Sequence, residues 1–182
     1  MAKVTKLKIP ELKKNLKNYD QKELINVIAD LYKLNDDVKD FLSVKFMGEE
    51  KIRELFERAK KEIEDEFFPE KGFGKMRLAK AKRAISDFKK LTGDLFRTID
   101  LMLCYVEVGT EFTNTYGDID EKFYDSMESM FHKVAKACEK DETLFIHFND
   151  RLRAVVADSG GIGWGYHDSL TDIYNSLILV KR

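Results

Sequence analysis

The segment Leu95-Phe96-Arg97-Thr98-Ile99-Asp100-Leu101-Met102-Leu103-Cys104-Tyr105-Val106-Glu107-Val108 decides the fold of this chain. Apolar residues cover nearly the whole circumference of a helix built from it, which is typical of a helix buried on all sides. We predict a central helix over about residues 93–116. The predicted fold class is all-α: an irregular multi-helix bundle of about nine helices around that helix.

Helical periodicity continues on both sides of this segment, and local signals predict where helices begin. Pro10 is placed to start the first helix, Asp20 to cap the second, and Asp36 or Asp37 to start the third. The third is expected to bury Val38, Phe41, Leu42 and Phe46. The apolar face of the second is Leu24, Ile25, Ile28, Leu31 and Tyr32, and the inward positions of the fifth are Met76, Ala79, Ala84, Ile85 and Phe88.

The length of 182 residues predicts one helical domain over residues 1–182. The clearest break is Phe68-Pro69-Glu70-Lys71-Gly72-Phe73-Gly74, which combines a helix stopper with two glycines. We expect a possible subdomain boundary at 68–74. It would separate N-terminal helical hairpins in 1–67 from a C-terminal bundle in 75–182.

Composition limits the classes of partner. Lys and Arg number 32 against 33 Asp and Glu, so the net charge of −1 provides no overall attraction to nucleic acid or to an anionic membrane. No apolar run approaches a membrane span, and the N-terminus lacks the apolar core of a signal peptide. Cys104 and Cys138 are isolated, so we expect buried thiols in a reducing cytoplasm. Neither a membrane nor a nucleic-acid partner is therefore favoured.

The turn Ser159-Gly160-Gly161-Ile162-Gly163-Trp164-Gly165-Tyr166-His167-Asp168 holds four of the ten glycines and the one tryptophan. Its glycines match neither the dinucleotide fingerprint nor the P-loop, so no cofactor is expected. We predict that the turn folds close to the acidic edge of the central helix. One hypothesis is a binding face made of Trp164, Tyr166, His167 and Asp168. The alternative is a tight helix connection in which Trp164 and Tyr166 pack inward as anchors.

Acidic residues share one face of the central helix. Asp100, Glu107 and Glu111 have helical spacing, and Glu107 interrupts an apolar run. A buried carboxylate must pair, protonate or bind metal. A metal site could therefore use Glu107, Glu111, Asp118 and His167, with Asp168 nearby. The alternatives are a solvent-facing strip, or ion pairs with Arg151 or Arg153.

Eight basic residues and one acid, Asp87, lie in residues 71–90. Such a helix could contact phosphates through Lys75, Lys82, Arg83 and Lys89. The alternative is pairing with the acids immediately upstream, which are Glu62, Glu64, Asp65, Glu66 and Glu70. No catalytic residue is predicted, because no Gly-x-Ser-x-Gly is present and neither cysteine has a nearby base.

Two groups of residues carry a resemblance to a known family. The first is Leu12-Lys13-Lys14-Asn15-Leu16 with Gln21-Lys22-Glu23-Leu24-Ile25 and Leu31-Tyr32. The second is Tyr105-Val106-Glu107 with Phe112-Thr113-Asn114-Thr115-Tyr116-Gly117-Asp118-Ile119-Asp120 and Gly163-Trp164-Gly165-Tyr166-His167-Asp168. On these residues the chain resembles a bacterial family of uncharacterised all-helical cytoplasmic proteins. The resemblance implies a helical unit of nearly the full length, and it supplies no reaction.

The sequence therefore favours a non-enzymatic helical module that binds an unknown protein partner or forms a homo-oligomer. A carboxylate and histidine metal-binding protein or enzyme is the first alternative. Nucleic-acid binding through the basic helix 71–90 is the second.

Overall fold

A computed structural model describes residues 6–181, and those residues form nine α-helices and no strand. The helices are α1 Ile9–Leu16, α2 Gln21–Leu34, α3 Asp36–Met47, α4 Glu49–Phe67, α5 Leu78–Thr92, α6 Leu95–Tyr116, α7 Glu121–Lys140, α8 Glu142–Asp158 and α9 Tyr166–Val180. The predicted all-α multi-helix bundle is confirmed.

The chain divides into two compact units, one ending at Gly48 and one starting at Glu49. The first contains α1 to α3, of which α2 and α3 pack against each other. Pro10 lies in the first turn of α1, where its missing N–H costs nothing. Asp20 caps α2 through a capping box: its carboxylate accepts from Glu23 N at 2.8 Å, and its own N–H donates to Glu23 Oε2 at 2.8 Å.

Apolar side chains of the first unit remain exposed, which corrects the expectation of a buried face on α3. Phe46 is 85% exposed and Phe41 is also exposed, while Val38 and Leu42 are only half-buried. No residue of α1 or α2 is buried. Hydrophobic periodicity identifies the apolar face of a helix, but it carries no information about what covers that face.

The centre of the second unit is α6. It packs against α4, α5, α7 and α8, and eleven of its 22 residues are buried. Each large apolar side chain that is fully removed from water stabilises the fold by about 1.5–3 kcal/mol, so this helix provides much of the core. The helix α9 packs on α7 and α8. Although α6 is very apolar, none of the helices described above is long and apolar enough to cross a bilayer.

Local signals end α6 where they were predicted to. Gly93, in the left-handed conformation with φ 67°, ends α5, and Asp94 then caps α6. At the other end Gly117 has φ 92°, and Asp120 caps α7 by accepting the N–H of Phe123 at 2.8 Å. Glycine is suited to both breaks because these positive φ values are costly for other residues.

The buried face of α5 agrees with the predicted one at Ile85 and Phe88 and differs from it at Ala79 and Ala81. Ala81, Ile85 and Phe88 are buried, whereas Ala79 is exposed. Met76 precedes the helix and has φ 46°. Residues 79 and 81 are two positions apart and lie on opposite sides of a helix, and alanine at both gives no hydrophobic contrast to choose between them.

The segment 68–74, where we expected a possible subdomain boundary, lies inside the second unit. It connects α4 to α5, and these two helices pack against each other. The connection is tight, because a Cβ at Gly74 would overlap the carbonyl group of Phe67. In the described chain the division into compact units comes at Gly48.

Both cysteines are buried, as predicted: Cys104 on α6 and Cys138 on α7. Burial raises the pKa of the Cys104 thiol to about 12 and that of the Cys138 thiol to about 11. Desolvation is the largest cause in each case, because a low-dielectric environment disfavours the thiolate.

We expect neither thiol to react with Ellman's reagent in the folded protein near pH 7, because the thiolate is the reactive form and both sulfurs are excluded from solvent. After unfolding in guanidinium, both should react rapidly. A thiol that reacts as fast in the folded protein as in the unfolded one would contradict the burial described above.

Candidate functional site

Residues 159–165 connect α8 to α9 and form the turn that the sequence singled out. Gly161 and Gly165 have φ values of 85° and 69°, and Trp164, which lies between them in the chain, has φ 63°. A positive φ is costly for a bulky L-residue, so the backbone at Trp164 is in a strained conformation. Its indole is nevertheless 58% exposed. Trp164 is therefore presented to solvent and is not an inward anchor.

Tyr166 anchors the turn to the core. Its side chain is fully buried, and its hydroxyl lies 2.8 Å from Thr110 Oγ1 on α6. Because Thr110 donates to the Val106 carbonyl at 2.9 Å, the Tyr166 hydroxyl is the donor to Thr110. Desolvation raises the pKa of Tyr166, and its ring centroid is 5.1 Å from that of Tyr124. Of the four predicted binding residues, Tyr166 belongs to the interior and is not accessible to a partner.

The turn docks at the C-terminal end of α6. A Cβ at Gly163 would lie 3.0 Å from Asp118 Oδ2, so the backbone of the turn comes very close to this carboxylate. Asn114 Nδ2 donates to the carbonyl of Asp158 at 2.8 Å and ties the end of α8 to α6. The turn therefore lies beside the acidic edge of the central helix, as the sequence predicted.

His167 is half-buried and makes a structural hydrogen bond. Its Nδ1 lies 2.9 Å from the hydroxyl of Ser159, a fully buried residue whose hydroxyl donates to the Val156 carbonyl at 2.7 Å. Ser159 has a single hydroxyl hydrogen, so Nδ1 of His167 must carry the proton in this pair. Asp168 is exposed in the first turn of α9, where the helix dipole favours a carboxylate.

Arg151 on α8 pairs with the acidic face of α6. Its Nε and Nη2 donate to the two oxygens of Glu107, each at 2.7 Å, and its Nη1 donates to Asp100 Oδ1 at 2.6 Å. The guanidinium also lies over the Phe148 ring, 5.6 Å from the centroid. The hydrogen bonds that Arg151 donates to Glu107 raise the pKa of Arg151. The ion-pair alternative is thereby observed for Arg151, while Arg153 pairs with Asp150.

The structure does not bring the four metal candidates together. Glu107 is held by Arg151, His167 by Ser159, and Asp118 accepts the hydroxyl of Tyr124 at 3.1 Å. Glu111 is exposed and lines an open groove between α6 and α8. Within residues 6–181, no group of three His, Cys, Asp or Glu residues could hold a metal ion.

Buried Glu66 organises the start of the basic segment. Arg77 donates from Nε and Nη2 to its two oxygens at 2.9 and 2.8 Å, its backbone N–H donates at 3.2 Å, and Lys80 Nζ lies 3.0 Å away. These donors lower the pKa of Glu66 from 4.5 to about 2, despite opposing desolvation. Glu66 was one of five upstream acids that could have paired here, and its position on the apolar stripe of α4 next to Phe67 was the available signal.

The other basic residues are only partly paired. Arg83 and Lys90 both pair with Asp87, and Lys82 donates to Ser126 Oγ at 2.9 Å. No ion pair joins Lys75 or Lys89 to a carboxylate within residues 6–181. Pairing with upstream acids therefore accounts for part of the positive charge and leaves a local surplus.

Sequence reasoning missed Phe73, which is 86% exposed at the tip of the 68–77 connection. It lines a groove with Lys71 and Lys75. The available signal was the pattern Lys71-Gly72-Phe73-Gly74-Lys75, in which an aromatic residue stands between two glycines and two lysines.

The profile of a family of unknown function, DUF6155, matches residues 7–177. The chain belongs to this family. The DUF6155 match begins before α1 and ends in α9, so it includes both compact units, the tryptophan turn and the basic segment. Membership of an uncharacterised domain family is confirmed, and a bacterial origin stays a prediction. Neither a curated protein nor a solved structure matches the chain.

In this DUF6155 protein we expect Arg151→Met to lower the free energy of unfolding by about 1–2 kcal/mol, because Asp100 and Glu107 lose their shared partner while half-buried. Arg153→Met on the same helix removes an exposed ion pair and should change stability by less than about 0.5 kcal/mol. Urea unfolding at neutral pH measures both. Equal losses in the two variants would contradict a bridging role for Arg151.

We expect Glu66→Gln to destabilise the protein by about 2 kcal/mol near pH 7 and by less as the pH falls. The lowered pKa means that ionised Glu66 stabilises the fold fully above about pH 4.5, and that this contribution disappears as the pH approaches 2. Urea titrations from pH 7 downward should therefore show the two unfolding free energies converging.

Glu70→Gln is the matched control, because Glu70 forms an exposed ion pair with Lys61. It should change stability little at any pH. A difference between wild type and Glu66→Gln that stays constant from pH 7 to pH 3 would contradict the assignment.

Proposed function

We propose that this DUF6155 protein is a non-enzymatic interaction module, and that it forms a homodimer through its first three helices. The observation that carries the proposal is the apolar surface of the unit that ends at Gly48.

The first unit exposes far more large apolar side chains than solubility alone would favour. Twelve of them between Leu7 and Met47 are 39–85% exposed. They are Leu7, Ile9, Leu12, Tyr19, Ile25, Ile28, Leu31, Tyr32, Leu34, Phe41, Phe46 and Met47. Together they offer on the order of 1,000 Å² of accessible area, and a stable interface buries about 800 Å² on each partner. Exposed apolar side chains that adjoin on one helix face, as on α2, mark an interaction site.

The exposed stripe on α2 has the geometry of a helix-packing seam. Ile25, Ile28 and Tyr32 are spaced i, i+3 and i+7, so they lie on one face and follow the helix for two turns. All three are exposed, whereas Leu24 and Val27 on the adjoining face are half-buried. A second helix packed on this stripe would cover residues that now contact water.

A second copy of the chain is the occupant that the charges favour. Residues 6–48 carry nine lysines and seven carboxylates, so two copies would not repel each other strongly. A surface of nearly balanced charge also gives no preference for a strongly acidic or strongly basic partner. Most homo-oligomers are two-fold dimers, in which the same apolar patch is used by both subunits.

The tryptophan turn is a second surface that a partner could use. Trp164 and His167 are its accessible members with aromatic rings, and Tyr166 beneath them holds the turn to α6. Tryptophan is enriched among residues that dominate interface affinity, because it buries a large rigid surface. We propose Trp164 as a contact for a protein partner, separate from the dimer surface of the first unit.

The structural roles of the polar side chains support the non-enzymatic part of the proposal. Glu107, His167 and Tyr166 all make hydrogen bonds that join one helix or turn to another. The two free, buried thiols fit a reducing compartment, so we propose a cytoplasmic location.

Sedimentation velocity on the full chain tests the dimer. We expect wild-type protein to shift from monomer to dimer as its concentration rises to about 100 µM, by mass action. Ile28→Glu places a charge in the exposed apolar stripe and should leave the protein monomeric. Position 28 is exposed, so the substitution should not prevent folding.

Asn26→Glu is the matched control, because residue 26 is exposed on the opposite face of the same helix. It should dimerise as the wild type does. A wild type that stays monomeric at every concentration, or equal behaviour of Ile28→Glu and Asn26→Glu, would refute the proposal.

A further inference from the structure

We propose that the basic segment 71–90 binds single-stranded nucleic acid, with Phe73 stacking on a base and lysines contacting phosphates. The inference is independent of the dimer, because it uses residues of the second unit only.

The ring of Phe73 is exposed in a way that allows a base to stack on it. It is 86% exposed, and Gly72 beside it has φ 82°. The loop that carries it is held at its base by Glu66, which binds the side chain and the backbone N–H of Arg77. An exposed aromatic ring on an anchored loop loses little conformational freedom when a base packs on it, and such stacking tolerates any base.

The groove beside Phe73 has a surplus of positive charge. Its volume is about 480 Å³, and five cationic side chains and three carboxylates line it. Two of the carboxylates are already engaged: Glu66 with Arg77 and Lys80, and Glu70 with Lys61. Lys71 and Lys75, on either side of the Phe73 loop, form no ion pair with a carboxylate in the described part of the chain.

The positive surface continues along α5. Lys82 and Lys89 are seven residues apart, so they lie on one face about 10 Å from each other along the helix axis. Both are exposed, and neither pairs with a carboxylate of residues 6–181. Arg83 and Lys90 form a parallel row beside them and share the single acid Asp87. A phosphate backbone could follow this face after passing Phe73.

The combination of Phe73 with the row of lysines favours single-stranded nucleic acid over other polyanions. A row of lysines attracts the phosphates of single and double strands alike. An exposed aromatic side chain gains affinity only from bases that are free to leave their own stack, as they are in a single strand. The net charge of −1 for the whole chain does not oppose this, because residues 71–90 contain eight cationic residues and one acid.

Fluorescence anisotropy with a labelled oligonucleotide of about 20 nucleotides tests the proposal, using oligo(dT) and oligo(U). We expect binding to the full chain at about 50 mM salt, and roughly 20-fold weaker binding at about 200 mM if three phosphates are contacted. Phe73→Leu keeps an apolar side chain but loses the ring, and it should weaken binding about tenfold. Phe73→Tyr keeps the ring and should bind as the wild type does.

Lys75→Gln should weaken binding and lower the slope of log affinity against log salt by about 0.7, the value for one phosphate contact. Arg153→Gln on α8 makes the same charge change elsewhere and should leave affinity and slope unchanged. The proposal fails if neither oligonucleotide binds at low salt, if Phe73→Leu binds like the wild type, or if a duplex of equal length binds as tightly as the single strand.

Discussion

The burial of α6 is the constraint on which the second unit depends. A helix that is surrounded by others must give every polar side chain on it a partner, because an unpaired buried polar group costs about as much as several hydrogen bonds contribute. Three of these partners come from three other helices. The pairs are Tyr105 with Ser126 on α7, Glu107 with Arg151 on α8, and Thr110 with Tyr166 on α9. The polar groups of α6 therefore specify how the other helices dock, and the apolar groups supply most of the stabilising free energy.

The first unit differs from the second in how little of its apolar surface is buried. Short chains bury a smaller fraction of their surface than long ones do, so helices such as α1 and α2 can be amphipathic and still have no buried residue. The apolar faces then become available to a partner, and this is the physical basis of the proposed dimer. The near-zero net charge of the chain also conceals the basic segment 71–90. Asp87 within the segment and Glu66 upstream of it pair with only some of its cations.

The sequence predicts those features that depend on residues close together along the chain. The position of α6 and its ends at Asp94 and Gly117 follow from apolar periodicity and from capping residues. The sequence could not show whether the ring of Trp164 or that of Tyr166 points inward. The answer depends on Thr110, more than fifty residues away, which accepts the hydrogen bond from Tyr166. Similarly, the sequence could not show which of five upstream acids pairs with the basic segment. The fold brings Arg77 into contact with Glu66. The exposure of the α2 stripe depends on the absence of a covering helix, and periodicity cannot report that.

Hydrogen–deuterium exchange at two protein concentrations tests the central claim most directly, because it follows α6 and α2 in the same sample. The account predicts that α6 amides exchange slowest and at a rate independent of concentration, while α2 amides exchange fast in dilute protein and become protected as concentration rises. Protection of α2 that is equal at both concentrations, or exchange of α6 as fast as that of α2, would contradict it.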